Sequence, residues 1–225
     1  KVIVEFDDST LVVIGTDGSW KEIQAGQWIV GQPQRNGEGN GRVEKIDSRK
    51  VISGWNELSF DDSNWQLATE IGEHPIAPWT GVLRADLTRV IEDEIKPVSI
   101  TNVGRGRYVI DLGKIYPGSF KLNFSGGTSG DTIKALGGYV LNNDGTVSPK
   151  INQGTNMRFY FIHNGAKSVF NPAVYLGMRY LQVDNSPNVL NTDNVRFICR
   201  HFELDPARSN FDSSNPMLNN VWDLM

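Results

Sequence analysis

Cysteine is nearly absent from this chain. Cys199 stands alone among 225 residues, so there can be no internal disulfide, and the compartment stays open. Histidine is scarce as well. His74, His163 and His201 lie far apart, none at a metal-ligand spacing, so no metal is expected. No apolar run approaches the roughly 18 residues of a membrane span, and Lys1 to Phe6 alternates like a strand rather than a signal peptide. A basic excess is also missing: 22 Lys and Arg against 26 Asp and Glu leave a net charge of -4, which argues against nucleic acid as a partner. The Gly-rich stretch Asn36 to Gly41 lacks the strand-loop-helix context and the lysine of a phosphate-binding loop, and reads as a mobile loop. With no Gly-x-Ser-x-Gly elbow and Cys199 placed mid-strand as a buried, inert thiol, neither a nucleophile nor a cofactor is expected.

What the chain does contain is strand and turn, almost end to end. Val2, Val4 and Phe6 alternate before the turn cluster Asp7 to Thr10, and Leu11 to Ile14 is expected to follow as a compact buried strand. Phe120, Leu122 and Phe124 alternate with Lys121, Asn123 and Ser125, which sets three apolar side chains on one face. Asn142-Asn143-Asp144-Gly145 is a hairpin signal, because Asp-Gly supplies positive φ angles. Further strands are expected at Arg158 to His163, Arg179 to Asp184 and Val195 to Leu204. Short strands with turn signals about every 8–12 residues and no helical crossovers predict an all-β fold of two consecutive antiparallel, jelly-roll-like β-sandwiches.

The expected division falls near Lys96-Pro97, with a first sandwich over 1–97 and a second over 98–205. The acidic stretch Glu92-Asp93-Glu94 reads as an exposed linker between them. Residues 206–225 change character. Asn215 is an N-cap, Pro216 suits the first helical position, and Leu218, Val221, Trp222 and Met225 recur at i, i+3, i+4 and i+7. That apolar stripe needs a partner. The expectation is that a helical domain begins here and continues beyond the sequence.

Carboxylates could form a glycosidase pair at several separations, and sequence cannot set two of them across a cleft. Asp61-Asp62, between Phe60 and Trp65, reads as a turn in which Asp side chains cap backbone N–H groups. Gly54-Trp55 followed by Phe60-Asp61-Asp62-Ser63-Asn64-Trp65 resembles a segment of the N-terminal sandwich of bacterial α-L-rhamnosidases, glycoside hydrolase family 78. Six further motifs resemble the same family in the same order: Thr16 to Lys21; Glu44, Asp47 and Arg49; Tyr108 to Gly113 with Gly118; Leu141 to Gly145; Gly177 to Tyr180; and Phe211 to Asn219. The chain departs from the family pattern at Gly138-Tyr139, where a Glu is usual, at Met157 to Tyr160, and at Leu176, where a His is usual.

The resemblance implies a division of labour. An acid and a base in a downstream α/α-barrel would cleave terminal α-L-rhamnose with inversion, across a gap of roughly 6.5–9.5 Å. No catalytic residue would then lie in this chain, and the missing barrel would pack on Trp222 and Leu218. Trp20, Trp55 and Trp65 are expected as core or hairpin-packing residues. Three functions remain open: a scaffold that frames substrate for the parent enzyme; a carbohydrate-binding module; and an unrelated adhesin-like sandwich. The second requires exposed aromatics for stacking on sugar rings. Trp79, in the Pro-framed loop Pro75 to Gly81, is the first candidate, followed by Trp28 and Tyr116. The scaffold reading is preferred, and it predicts that Trp79 packs against the neighbouring sandwich.

Overall fold

The computed structural model describes residues 2–37, 41–82, 84, 88–150, 154–203 and 210–224. Among the described residues it is built of strands, with a short 3-10 helix at Ser48–Lys50 and one α-helix near the C-terminal end. The strands are β1 (Val2–Glu5), β2 (Leu11–Ile14), β3 (Lys21–Glu22), β4 (Glu44–Asp47), β5 (Gln66–Leu67), β6 (Val90–Ile95), β7 (Ser99–Gly104), β8 (Arg107–Phe124), β9 (Thr132–Gly138), β10 (Arg158–Ile162), β11 (Ser168–Phe170), β12 (Leu176–Asp184) and β13 (Val195–Phe202). The helix α1 spans Pro216–Leu224.

Nine strands join one sheet in the order β4-β10-β9-β12-β8-β13-β6, with β7 and β11 also paired to β8. Strand β8 organises it. Over its 18 residues its first part pairs with β7, its last part with β11 and β13, and β12 runs alongside from Tyr108 to Gly118 with an irregularity between. The sheet curls around a core that draws on both halves: Ile110 and Leu112 from the first, Phe120, Leu122 and Phe124 from the second. The alternation seen in the sequence is the burial pattern observed, with Lys121 and Asn123 half-buried between buried neighbours. Aromatic rings fill the interior edge-on. Phe120 meets Phe159 at 5.1 Å and Phe170 at 5.0 Å, and Phe161 stacks on Phe170 at 4.9 Å. Each such pair adds about 0.5–1.5 kcal/mol beyond the area it buries. Gly118 has to be glycine, because a Cβ there would lie 2.0 Å from the Ile198 carbonyl of β13.

Strands on both sides of Lys96-Pro97 contribute to this sheet. β4 pairs in parallel with β10, Glu44 opposite Phe159, while the other strand pairings of the sheet are antiparallel. The acidic stretch expected as a linker is instead the edge strand β6, paired to β13. Its charges are matched across the strands: Glu92 with Arg200 (2.7 Å), Asp93 with His201 (2.8 Å) and Glu94 with Arg196 (3.6 Å). The bond to Asp93 raises the His201 pKa. Acidic residues were read as solvated because their partners come from more than a hundred residues away. The remaining strands form two ribbons, β1-β2 and β3-β5; Leu11–Ile14, expected to be buried, is exposed, because β2 pairs with β1 rather than with the large sheet.

The local turn chemistry follows the sequence. Gly145 at φ 79° closes the hairpin, its N–H bonding the Asn142 carbonyl at 3.0 Å, and Leu141 bridges Val147. Asn215 caps α1, its Oδ1 accepting the Met217 N–H at 3.0 Å. Trp222 lies 5.8 Å from the Phe211 ring, while Met217, Leu218 and Val221 are exposed. Residues 38–40, within the Gly-rich stretch, and Leu204, Met225 and the 206–209 segment lie outside the described residues.

Candidate functional site

The ribbon β3-β5 brings together the two segments that carry tryptophan and aspartate in the sequence. Asp17 turns the chain by accepting both the N–H and the hydroxyl of Ser19, and the Ser19 hydroxyl bond lowers its pKa. Trp20 follows, its indole N–H donating to the Gly15 carbonyl at 3.0 Å and its own carbonyl accepting the Ala68 N–H at 2.7 Å. Lys21 reaches across the ribbon to Asp62, Nζ to Oδ1 at 2.7 Å. Asp61 accepts the Ser63 N–H at 2.9 Å, and Phe60 meets Trp65 edge-on at 5.6 Å. The Asp61-Asp62 pair is thus the expected turn, and Asp62 adds an ion pair with Lys21 that the sequence did not announce.

Beside this ribbon opens a cleft of about 480 Å³, lined among others by Asp17, Trp20, Lys21, Glu70, Ile76 and Trp79. Trp79 is 61% exposed and Trp20 48%. The loop presenting Trp79 is closed by a bridge between Ile76 and Trp79, N–H to carbonyl at 3.2 Å, and by a 2.7 Å bond between His74 Nε2 and the Gly81 carbonyl. An indole held this way offers an open π-face, the surface on which a sugar ring stacks. Trp55, expected as a packing residue, is 62% exposed, whereas Trp65 is half-buried against Phe60.

The other two aromatic candidates stand apart. Trp28 is 38% exposed and bridges Ile46 beside β4, in a shallow groove with Arg42 and Glu44. Tyr116 is half-buried in β8, its ring 6.4 Å from Phe197 and 5.2 Å from the Lys114 ammonium. Neither lines the cleft of Trp79.

Two polar features escaped the sequence reading. The first is a second cleft of about 480 Å³, where the β7-β8 turn, the β8-β9 loop and the β12-β13 loop meet. Arg105, Asp131, His163 and Asn185 line it. His163 is spent structurally: Nδ1 accepts the Gly165 N–H at 2.8 Å, Nε2 meets the Ser168 hydroxyl at 3.2 Å, and burial lowers its pKa. The turn residues Gly104-Arg105-Gly106 and Asn185-Ser186-Pro187 were the available signal, but nothing local says that these turns converge.

The second is a buried charge. Arg35 is 1% exposed, lies 4.2 Å over the Phe159 ring, and gives Nη1 to the carbonyls of Asn156 (2.8 Å) and Arg158 (3.0 Å). Glu44, 9% exposed, accepts the Val174 N–H at 2.8 Å, and burial raises its pKa. Together they fasten the segment around β4 to the large sheet. Among the described residues no group of three or more His, Cys, Asp or Glu side chains could hold a metal, and no helix is long and apolar enough to cross a membrane.

Comparison with known proteins gives this geometry a family. Residues 1–113 match the family model of the α-L-rhamnosidase N-terminal domain, and residues 101–201 that of the bacterial α-L-rhamnosidase concanavalin-like domain. An α-L-rhamnosidase of Streptomyces avermitilis is 28% identical over 220 residues, which is 97% of this chain and 20% of that protein. The solved α-L-rhamnosidase of Dictyoglumus thermophilum superposes with a TM-score of 0.72 at 26% identity, over 98% of this chain and 24% of that one. The Streptomyces avermitilis enzyme, solved with L-rhamnose, gives 0.70 at 26% identity, over 98% and 20%. The chain therefore spans about a fifth to a quarter of the length of these relatives. With the two family models covering nearly all of its strands, the chain belongs to the bacterial α-L-rhamnosidase family.

Proposed function

We propose that this chain is the accessory β-rich part of an α-L-rhamnosidase and performs no hydrolysis itself. The parent enzyme releases terminal α-L-rhamnose from a glycoside or polysaccharide. The observation that carries this reading is coverage: two family models account for residues 1–201, and the relatives named for the activity are four to five times longer. Inverting hydrolysis needs an acid and a base about 6.5–9.5 Å apart with room for water between them. The proposal sets that pair in the remainder of the parent protein. The exposed Leu218 and the half-buried Trp222 of α1 then form the seat for that remainder, an α/α-barrel, with the curled sheet as a rigid frame beside it.

The test is direct. Purified chain incubated with an aryl α-L-rhamnoside should release no aglycone above background. Sustained turnover, lost on changing Glu44 or another carboxylate of this chain, would overturn the division of labour.

One observation favours a second reading, a carbohydrate-binding module. The preferred scaffold role predicts a packed Trp79, but this indole is open to solvent and shares its cleft with Trp20, Asp17 and Glu70. Those are the parts a sugar site needs: an aromatic platform, and carboxylates that accept bonds from hydroxyl groups.

A further inference from the structure

The cleft between Trp20 and Trp79 has a charge as well as a shape. Three carboxylates line it, Asp17, Glu22 and Glu70, against one ammonium, Lys21. That ammonium is already engaged, since Nζ lies 2.7 Å from Asp62 Oδ1 and 3.2 Å from the Asp62 carbonyl. Asp17 is held ionised by the Ser19 hydroxyl and N–H, which take up its Oδ1. Glu22 Oε1 accepts a bond from the Gln66 side-chain amide at 3.0 Å. The field inside the cleft is therefore negative, and no uncommitted cation among the lining residues could receive an anionic ligand.

We infer that this cleft takes a neutral pyranoside, stacked on Trp79, and excludes uronic acids. The inference rests on the carbohydrate-binding reading given above and adds the selection. A neutral sugar ring presents an apolar face to an indole and hydroxyl donors around its rim. Carboxylate oxygens accept those donors without a proton of their own. A uronate keeps the stacking face but brings a negative charge beside the three carboxylates, and each of these adds a repulsion that salt screens only partly over a few ångströms.

The full chain can be titrated with methyl α-L-rhamnoside, with methyl β-D-glucoside as a second neutral pyranoside, and with methyl α-D-galacturonide, reading tryptophan fluorescence at low and at high salt. Trp79→Ala identifies the responding indole, and its melting temperature, unchanged for so exposed a side chain, shows that the variant is folded. The expected result is millimolar binding of the neutral glycosides and about tenfold weaker binding of the galacturonide. That gap should shrink in high salt and in Glu70→Gln. Galacturonide binding as tight as the neutral sugars, at Trp79 and at low salt, overturns the selection while leaving the sugar site standing. No response to any glycoside overturns both.

Discussion

β1-β2 and the second half of β8 are built from the same kind of sequence, and they fare differently. Val2, Val4, Leu11 and Val13 lie in strands at least as apolar as the one that carries Phe120, Leu122 and Phe124, though without its clean alternation. The first four are exposed and the other three are buried. What separates them is the number of partners. Among the described residues β1 pairs with β2 alone, whereas β8 pairs with β7, β11, β12 and β13. A two-stranded ribbon is marginal in water by itself, and a sheet that curls over its own side chains is not. Apolar strand sequence thus specifies a strand, and only tertiary pairing decides whether its apolar side chains are covered.

The largest expected effect comes from truncating the covered face. Phe120→Ala should destabilise the chain by about 3–5 kcal/mol, since the ring meets both Phe159 and Phe170 and leaves a cavity. Val4→Ala, an apolar position in the exposed ribbon, should stay within about 0.5 kcal/mol. Urea unfolding followed by far-ultraviolet circular dichroism checks both, and equal losses would dissolve the contrast.

The clamp between Arg35 and the backbone at the start of β10 comes next. Arg35→Met removes two bonds to backbone carbonyls and leaves Glu44 buried with less compensating charge, which should cost about 2–4 kcal/mol. The same unfolding experiment reads it, and a neutral outcome would mean that β4 does not depend on this clamp.

A smaller effect depends on pH. Arg179 holds the Asp111 carboxyl through two bonds, 2.9 and 3.0 Å, and those bonds lower its pKa. A carboxyl depressed in the folded state stabilises it above the ordinary range near 4 and loses that contribution as the pH falls toward the folded value. Wild type and Arg179→Met should therefore differ above about pH 4 and converge on further acidification. Parallel curves throughout would remove Asp111 from the acid response. Smallest of all, Arg200→Ala breaks an exposed pair with Glu92 and should cost less than about 1 kcal/mol by thermal unfolding.

The sequence was a good guide wherever the determinant was local. The alternation of β8, the Asp144-Gly145 turn and the Asn215 cap each depend on residues within a few positions, and each is found where the pattern predicts it. The motif order also pointed to the right family. Strand partnership was not legible. Nothing around Glu44 announces a parallel pairing with β10, and nothing around Glu92 announces the arginines that turn it from a solvated linker into a sheet edge. For the candidate site, the stiff Trp79 loop could be read from its prolines, but the shared cleft with Trp20 depends on residues nearly sixty positions apart.

Native-state hydrogen exchange tests the contrast between the regions most directly, because it reports opening residue by residue. Amides of β8 at Leu122 and Phe124, with those of β10 and β13, should exchange only through global unfolding, and amides of β1 and β2 through local opening at far lower free energy. Protection of the Val2–Glu5 and Leu11–Ile14 amides equal to that of β8 would contradict the account, and would show that the ribbon belongs to the same cooperative unit as the large sheet.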